Sequence, residues 1–196
     1  MKEIKVSVPD GKKAEWQDIN GVQTLVLVDE KDERPVMERI KTFEDACKEL
    51  NRLAEEGNED MAILLADYES NADNIKTEAT LAYMKLCIIV AALNEGWVPT
   101  FEKGEYRWFP WYYLYTKEEV DAMDEDEKRR VVGRASHNAN PLGGCVCAGA
   151  SNVSSYSSTH NGARLAFRDR ERAEYAGRQF AELYVRYYYD AKLENL

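Results

Sequence analysis

Apolar residues recur at three-and-four spacing in several stretches of the chain, and the most sharply patterned of these is the last. Ala173, Ala176, Gly177, Phe180, Leu183, Tyr184 and Tyr187 line one face of a predicted helix, and such a face must be buried against another layer. The opposite face carries Arg170, Glu174, Arg178, Glu182 and Arg186, alternating in sign every four residues as mutually supporting surface pairs do. Asp169 precedes the helix, where its carboxylate can accept from first-turn N–H groups. Upstream, residues 164–168 (Arg-Leu-Ala-Phe-Arg) alternate polar and apolar like a half-buried strand. The expectation is a strand followed by one long helix.

The same patterning predicts the other elements. Residues 4–8 and 24–28 are rich in β-branched side chains, and Asn20-Gly21 between Trp16 and Val22 is a short hairpin signal. The N-terminus therefore reads as a hairpin or a three-stranded ribbon. The charged residues 29–34 end at Pro35 and read as a connector. Thr42 can cap a helix that buries Phe43, Ala46, Cys47, Leu50, Leu53 and Ala54, with Gly57 as its left-handed stop. A shorter helix is expected over residues 61–68 and a longer one over 76–94, where Ala79, Ala82, Tyr83, Leu86, Ile89, Val90 and Leu93 keep the helical period and Gly96 ends it.

Beyond residue 97 the character changes. Residues 106–115 (Tyr-Arg-Trp-Phe-Pro-Trp-Tyr-Tyr-Leu-Tyr) form an aromatic run that reads as extended, with Pro110 forcing a bulge or an edge position. Two helix starts with acids in the first turn follow, at residues 116–119 and 124–127. Residues 136–161 are rich in Gly, Ser and Asn and read as loop, with a short strand at 145–148. The class is α+β: an N-terminal hairpin and helical unit over residues 1–96, then a small aromatic-rich antiparallel sheet against a long C-terminal helix over 97–196. The two parts could equally form one continuous domain.

Charge adds an asymmetry to this picture. The chain of 196 residues has a formal net charge of −10. Residues 1–127 hold 15 Lys and Arg against 30 Asp and Glu, whereas residues 128–189 hold 10 against 4. Either the two parts complement each other or the second meets an anion, and the alternating signs on the last helix favour the first. No basic and apolar N-terminal signal is present, and the longest mostly apolar run, residues 86–93, falls far short of the roughly 20 residues of a membrane helix. A cytoplasmic protein without membrane contact is expected.

Candidate chemistry is sparse. His137, Cys145, Cys147 and His160 are four borderline or soft ligands that suit tetrahedral zinc, but Cys-x-Cys lacks the two-residue gap of a zinc knuckle. The same residues could furnish a Cys/His hydrolase, yet no nucleophile elbow or cysteine-protease signature surrounds either thiol. The default reading is small apolar strand cysteines, with no cofactor. Tyr106, Trp108, Trp111 and Tyr113 could stack sugars or bases, although rings at such density also serve as core. Arg164 and Arg168, with Arg129, Arg130 and Arg134, could meet phosphates, and the acidic part could mimic DNA.

Three stretches carry a resemblance: residues 38–47 (Glu-Arg-Ile-Lys-Thr-Phe-Glu-Asp-Ala-Cys); residues 82–86 and 92–99 leading to 106–111; and residues 157–160 leading to 163–167 and 173–180. In this order they resemble a family of uncharacterised proteins encoded by phages, prophages and mobile elements of gut Bacteroidetes. The resemblance implies an intracellular accessory protein and brings no reaction, cofactor or catalytic residue with it. Its pattern includes neither Cys145, Cys147 nor His137. The leading expectation is a non-enzymatic protein that binds a protein partner or assembles with itself. The alternatives are a nucleic-acid-associated protein or DNA mimic, and a Cys/His hydrolase or zinc-binding module.

Overall fold

A computed structural model describes residues 5–29, 32–132, 142–154 and 163–189. The chain divides into two compact units, residues 1–35 and 36–196. The first contains a two-stranded antiparallel ribbon, β1 (Lys12–Ile19) and β2 (Val22–Asp29), paired from Ile19↔Val22 to Lys12↔Asp29. Asn20 and Gly21 both take positive φ, 55° and 81°, the two-residue turn whose twist matches the strands. Asp18 Oδ1 accepts from the Gly21 N–H at 2.8 Å. Residues 5–9, rich in β-branched side chains, add no third strand.

The second unit begins with α1 (Val36–Arg39), α2 (Phe43–Glu55), α3 (Glu59–Asn71) and α4 (Glu78–Leu93). Thr42 and Asp45 close a reciprocal capping box on α2, and Gly57 (φ 100°) and Gly96 (φ 78°) stand where helix ends are expected. The helix α3, 13 residues long, extends past both ends of the expected 61–68. Its apolar residues occupy only the middle, and its polar last turns carry no periodic signal. In α4 the five residues 86–90 are all buried, including Ile88, which lies off the predicted stripe. A helix apolar all round belongs inside a core, and α4 packs against α2, α3 and the C-terminal helices.

The strand β3 (Arg107–Thr116) pairs antiparallel with β4 (Leu142–Val153), and the register shifts between Trp111 and Tyr112, one residue after Pro110. Between them lie α5 (Lys117–Ala122) and α6 (Glu125–Lys128), each closed by a capping box, from Thr116 with Glu119 and from Asp124 with Glu127. The strand β4 replaces the short strand expected at 145–148. Its small residues are what the packing needs, since the next helix lies close over them. After a 3-10 turn (Ala163–Leu165) come α7 (Arg170–Gln179) and α8 (Ala181–Tyr189).

Two expectations for this last stretch change. Residues 164–168 are not a strand: only Phe167 pairs, with Trp108, and Leu165, Ala166 and Phe167 are all buried, so polar and apolar positions do not sort by face. The long helix is stepped at Phe180 (φ −115°, ψ 28°). Apolar spacing runs through the step unchanged, which is why periodicity does not register it. The α+β architecture, with the aromatic sheet against α7, is as expected.

At Gly177 the helix α7 lies so close to the sheet that a Cβ would stand 2.6 Å from Pro110 Cβ and 2.7 Å from Cys147 Sγ. The Tyr112 hydroxyl donates to the Gly177 carbonyl at 2.7 Å. On its other side α7 reaches the start of the unit: the Tyr175 hydroxyl donates to Ile40 O at 2.6 Å and Gln179 Nε2 to Lys41 O at 2.8 Å.

The closure of the unit runs through Asn94, only 2% exposed. Its Nδ2 donates to Ala166 O at 2.8 Å and its Oδ1 accepts from the Arg168 N–H at 3.1 Å. Between those contacts Phe167 exchanges backbone bonds with Trp108 at 2.8 and 2.9 Å. Arg172 Nε donates to Leu93 O at 2.7 Å. Around this joint, Glu49 is buried between Arg39 and Arg52; Arg39 also reaches Glu95, and Glu95 meets Arg172 at 2.8 Å.

Replacing Asn94 by Leu leaves the Ala166 carbonyl and Arg168 N–H without these partners, and we expect a loss of about 2–4 kcal/mol in urea unfolding. The Tyr184 hydroxyl is the opposite case, buried without a hydrogen-bond partner among the described residues. Tyr184→Phe removes that hydroxyl and keeps the ring, so the same measurement should give unchanged stability or a gain of up to about 1 kcal/mol.

Candidate functional site

The aromatic run divides between core and surface. Trp108 is half-buried against the main core, Phe109 is buried, and Tyr112 sits under α7 with its ring 5.9 Å from that of Tyr184. Trp111 and Tyr113 turn outward, as does Tyr106. The Trp111 and Tyr113 rings meet at 4.9 Å and 75°, and Tyr113 meets Tyr115 at 6.4 Å and 52°. Edge-to-face and tilted contacts of this kind are the ordinary geometry of neighbouring aromatic side chains.

Of the cysteine and histidine candidates, the structure describes the two cysteines. Cys145 and Cys147 are both on β4, while His137 and His160 lie outside the described residues. Cys145 is buried with its backbone paired to Val132, and Cys147 faces Gly177. Among the described residues no three His, Cys, Asp or Glu side chains are placed to hold a metal ion. Burial pushes the Cys87 thiol up to about 11, and burial, with Cys147 nearby, does the same for Cys145. Burial also raises Cys147 and Cys47. The thiolate is the reactive form, and burial disfavours it at these four positions.

Most of the C-terminal arginines already have partners. Arg170 and Arg178 meet Glu174 at 2.7 and 3.3 Å, Arg172 meets Asp169 and Glu95, and Arg186 meets Glu78 at 3.1 Å. Arg168 is exposed, and its backbone serves the Asn94 joint. Arg164 enters a concave site, and Arg134 lies outside the described residues.

That site is a cleft of about 250 Å³ formed by α3, α4, residues 97–99 and Arg164. Met61, Leu64, Val90 and Ala91 are among its apolar lining, and Ile63 (59% exposed) and Val98 (54%) stand at its surface. Asp60 and Asp67, two helical turns apart on α3, contribute carboxylates, and Trp97 contributes an indole. None of the four aromatic candidates lines it. The turn after Asn94, with Gly96 at φ 78°, carries Trp97 and Val98 into the lining. The sequence signal for this wall is compositional. Residues 53–75 contain seven Asp and Glu and no Lys or Arg. The cleft itself depends on α3 meeting the 97–99 turn, which no local pattern encodes.

On the acid side, burial would raise the Glu49 carboxyl, but hydrogen bonds from Arg52 and Arg39 outweigh it and hold the group below its usual 4.5. Glu49 therefore contributes stability above about pH 4.5 that is lost as the pH falls through its folded value. The thiols act at the other end. With Cys87 and Cys145 raised from 9.0 to about 11, stability is fully present below pH 9 and declines as the pH rises toward 11. Tyr112 and Tyr184, both raised by burial, add to that decline above pH 10. Chemical denaturation at pH 8 and pH 10.5 should differ by about 2 kcal/mol or more, and Cys87→Ala with Cys145→Ala should flatten the difference. No family model matches the chain, and no curated protein or solved structure matches it either.

Proposed function

We propose that this chain is a non-enzymatic accessory protein of phage or prophage type that works by binding a protein partner. The observation that carries the reading is the apolar cleft beside α3, with Ile63 and Val98 more than half exposed at its surface. Exposed aliphatic side chains next to a concave apolar site are what a partner's side chains can cover. Thiols held in their protonated form support a binding role over a Cys/His hydrolase. The nucleic-acid alternative gains less support, because Arg170, Arg172, Arg178 and Arg186 meet carboxylates of the chain itself. Among the described residues no helix is long and apolar enough to cross a membrane.

Ile63→Asp with Val98→Asp tests the reading, because both side chains are exposed and the fold should tolerate the change. Proteins retained from bacterial lysate by the immobilised wild-type chain should be lost by the double variant, with an unchanged circular dichroism spectrum and an unfolding free energy within about 0.5 kcal/mol of wild type. Identical retained proteins, identified by mass spectrometry, would count against it.

A further inference from the structure

We propose that the cleft takes a basic amphipathic helix of a partner protein, an inference that rests on the protein-binding reading above and adds the chemistry of the partner. Three observations converge. The lining is mainly apolar, and at about 250 Å³ the cleft is smaller than the 300–1,000 Å³ or so of common small-molecule sites. It suits side chains projecting from a surface more than a free metabolite. Ile63 on α3 and Val98 on the turn after α4 are exposed in its lining, so a strip of apolar surface crosses the cleft mouth between the two elements. A helix laid in a groove buries such a strip through residues at i, i+3, i+4 and i+7.

Charge selects among helices. Asp60 and Asp67 line the cleft seven residues apart on α3, about 10.5 Å along the axis. A partner helix running along α3 meets both with cations seven residues apart on its own flank. From residue 53 to 75 Glu55, Glu56, Glu59, Asp60, Asp67, Glu69 and Asp73 occur with no Lys or Arg, and of these Asp60 and Asp67 line the cleft. A helix flanked by acids would be repelled along this length, whereas Lys or Arg flanks gain both encounter rate and orientation. Asp60 lies in the first turn of α3, where a carboxylate also favours the helix dipole. Asp67, at mid-helix, has no such role. Arg164 comes from a separate element. It can meet the carbonyl end of the incoming helix, which sets the direction of docking. Met61 in the lining lets the cleft adapt to different side chains.

The full chain can be titrated with a fluorescein-labelled synthetic helix of about 18 residues, Leu at i, i+3, i+4, i+7 and Lys elsewhere. Two comparison peptides carry Glu in place of Lys, or the same Lys and Leu in an order that breaks the stripe. Anisotropy gives affinity, and the emission of Trp97, checked against Trp97→Phe, reports on the cleft. The Lys helix should bind at least tenfold tighter than either comparison peptide. Asp60→Asn with Asp67→Asn should weaken it about tenfold, while the charge-matched pair Glu171→Gln with Glu182→Gln, outside the cleft, should change it twofold or less.

Equal binding of the Lys and Glu helices, or equal loss from the two variant pairs, overturns the basic partner and leaves the protein-binding reading intact. Binding of the Lys helix that survives Ile63→Gln with Val98→Gln, which remove apolar surface and add no charge, overturns the cleft as its seat, and with it both readings. Sedimentation of the chain without peptide separates one further occupant. A concentration-dependent dimer abolished by Ile63→Asp would place a second copy in the cleft and overturn the partner helix.

Discussion

The Asn94 amide stands where a neighbouring strand would stand. Its donor and acceptor take the carbonyl of Ala166 and the N–H of Arg168, while Phe167 between them pairs with Trp108 on the other side. Residues 166–168 are thus bonded along both edges, once by real backbone and once by a side chain imitating it. The core on either side depends on this joint. It fixes the end of the buried helix α4 to the segment that leads into α7, and α7 in turn covers the sheet. A buried amide with both functions satisfied is worth more as a specifier of geometry than as a source of net energy. No aliphatic side chain of similar size could hold both edges.

Electrostatics reinforce the same joint. Glu49, Arg39, Glu95, Arg172 and Asp169 run in sequence from α2 through α1 and the end of α4 to the start of α7. Exposed ion pairs contribute little one at a time, but Glu49 is buried, and removing it would leave Arg39 and Arg52 without their shared carboxylate. The charge asymmetry of the sequence has part of its explanation here. Arg172 and Arg186 of the basic part meet Glu95 and Glu78 of the acidic part, so the two regions complement each other within one molecule.

Locally encoded features were legible. The Asn20-Gly21 turn, the Thr42, Thr116 and Asp124 caps, the Gly57 and Gly96 stops and the burial of the α2 and α4 stripes all depend on residues within a few positions of each other. What escaped the reading depends on partners far away in sequence. The step at Phe180 leaves apolar spacing intact, and β4 is made of small residues that pair only because β3 and α7 require them. Asn94 looks like an ordinary helix end until Ala166 lies beside it. The site candidates followed the same division. Arg164 reached a concave site, but Asp60, Asp67 and Trp97, which share it, lie on elements whose pattern marks a helix and its end and not a site.

Gly177 shows how local and global preference can oppose each other. An interior helical position gains about 1 kcal/mol from Ala over Gly, and α7 forgoes that gain to bring its backbone against Pro110 and Cys147. The position is frustrated in isolation and relaxed only in the assembled domain. Stabilisation pursued one residue at a time, by raising the helicity of each segment, would select the substitution that separates the helix from its sheet. Any redesign of this fold has to treat Gly177, Pro110 and Cys147 as one unit drawn from three elements.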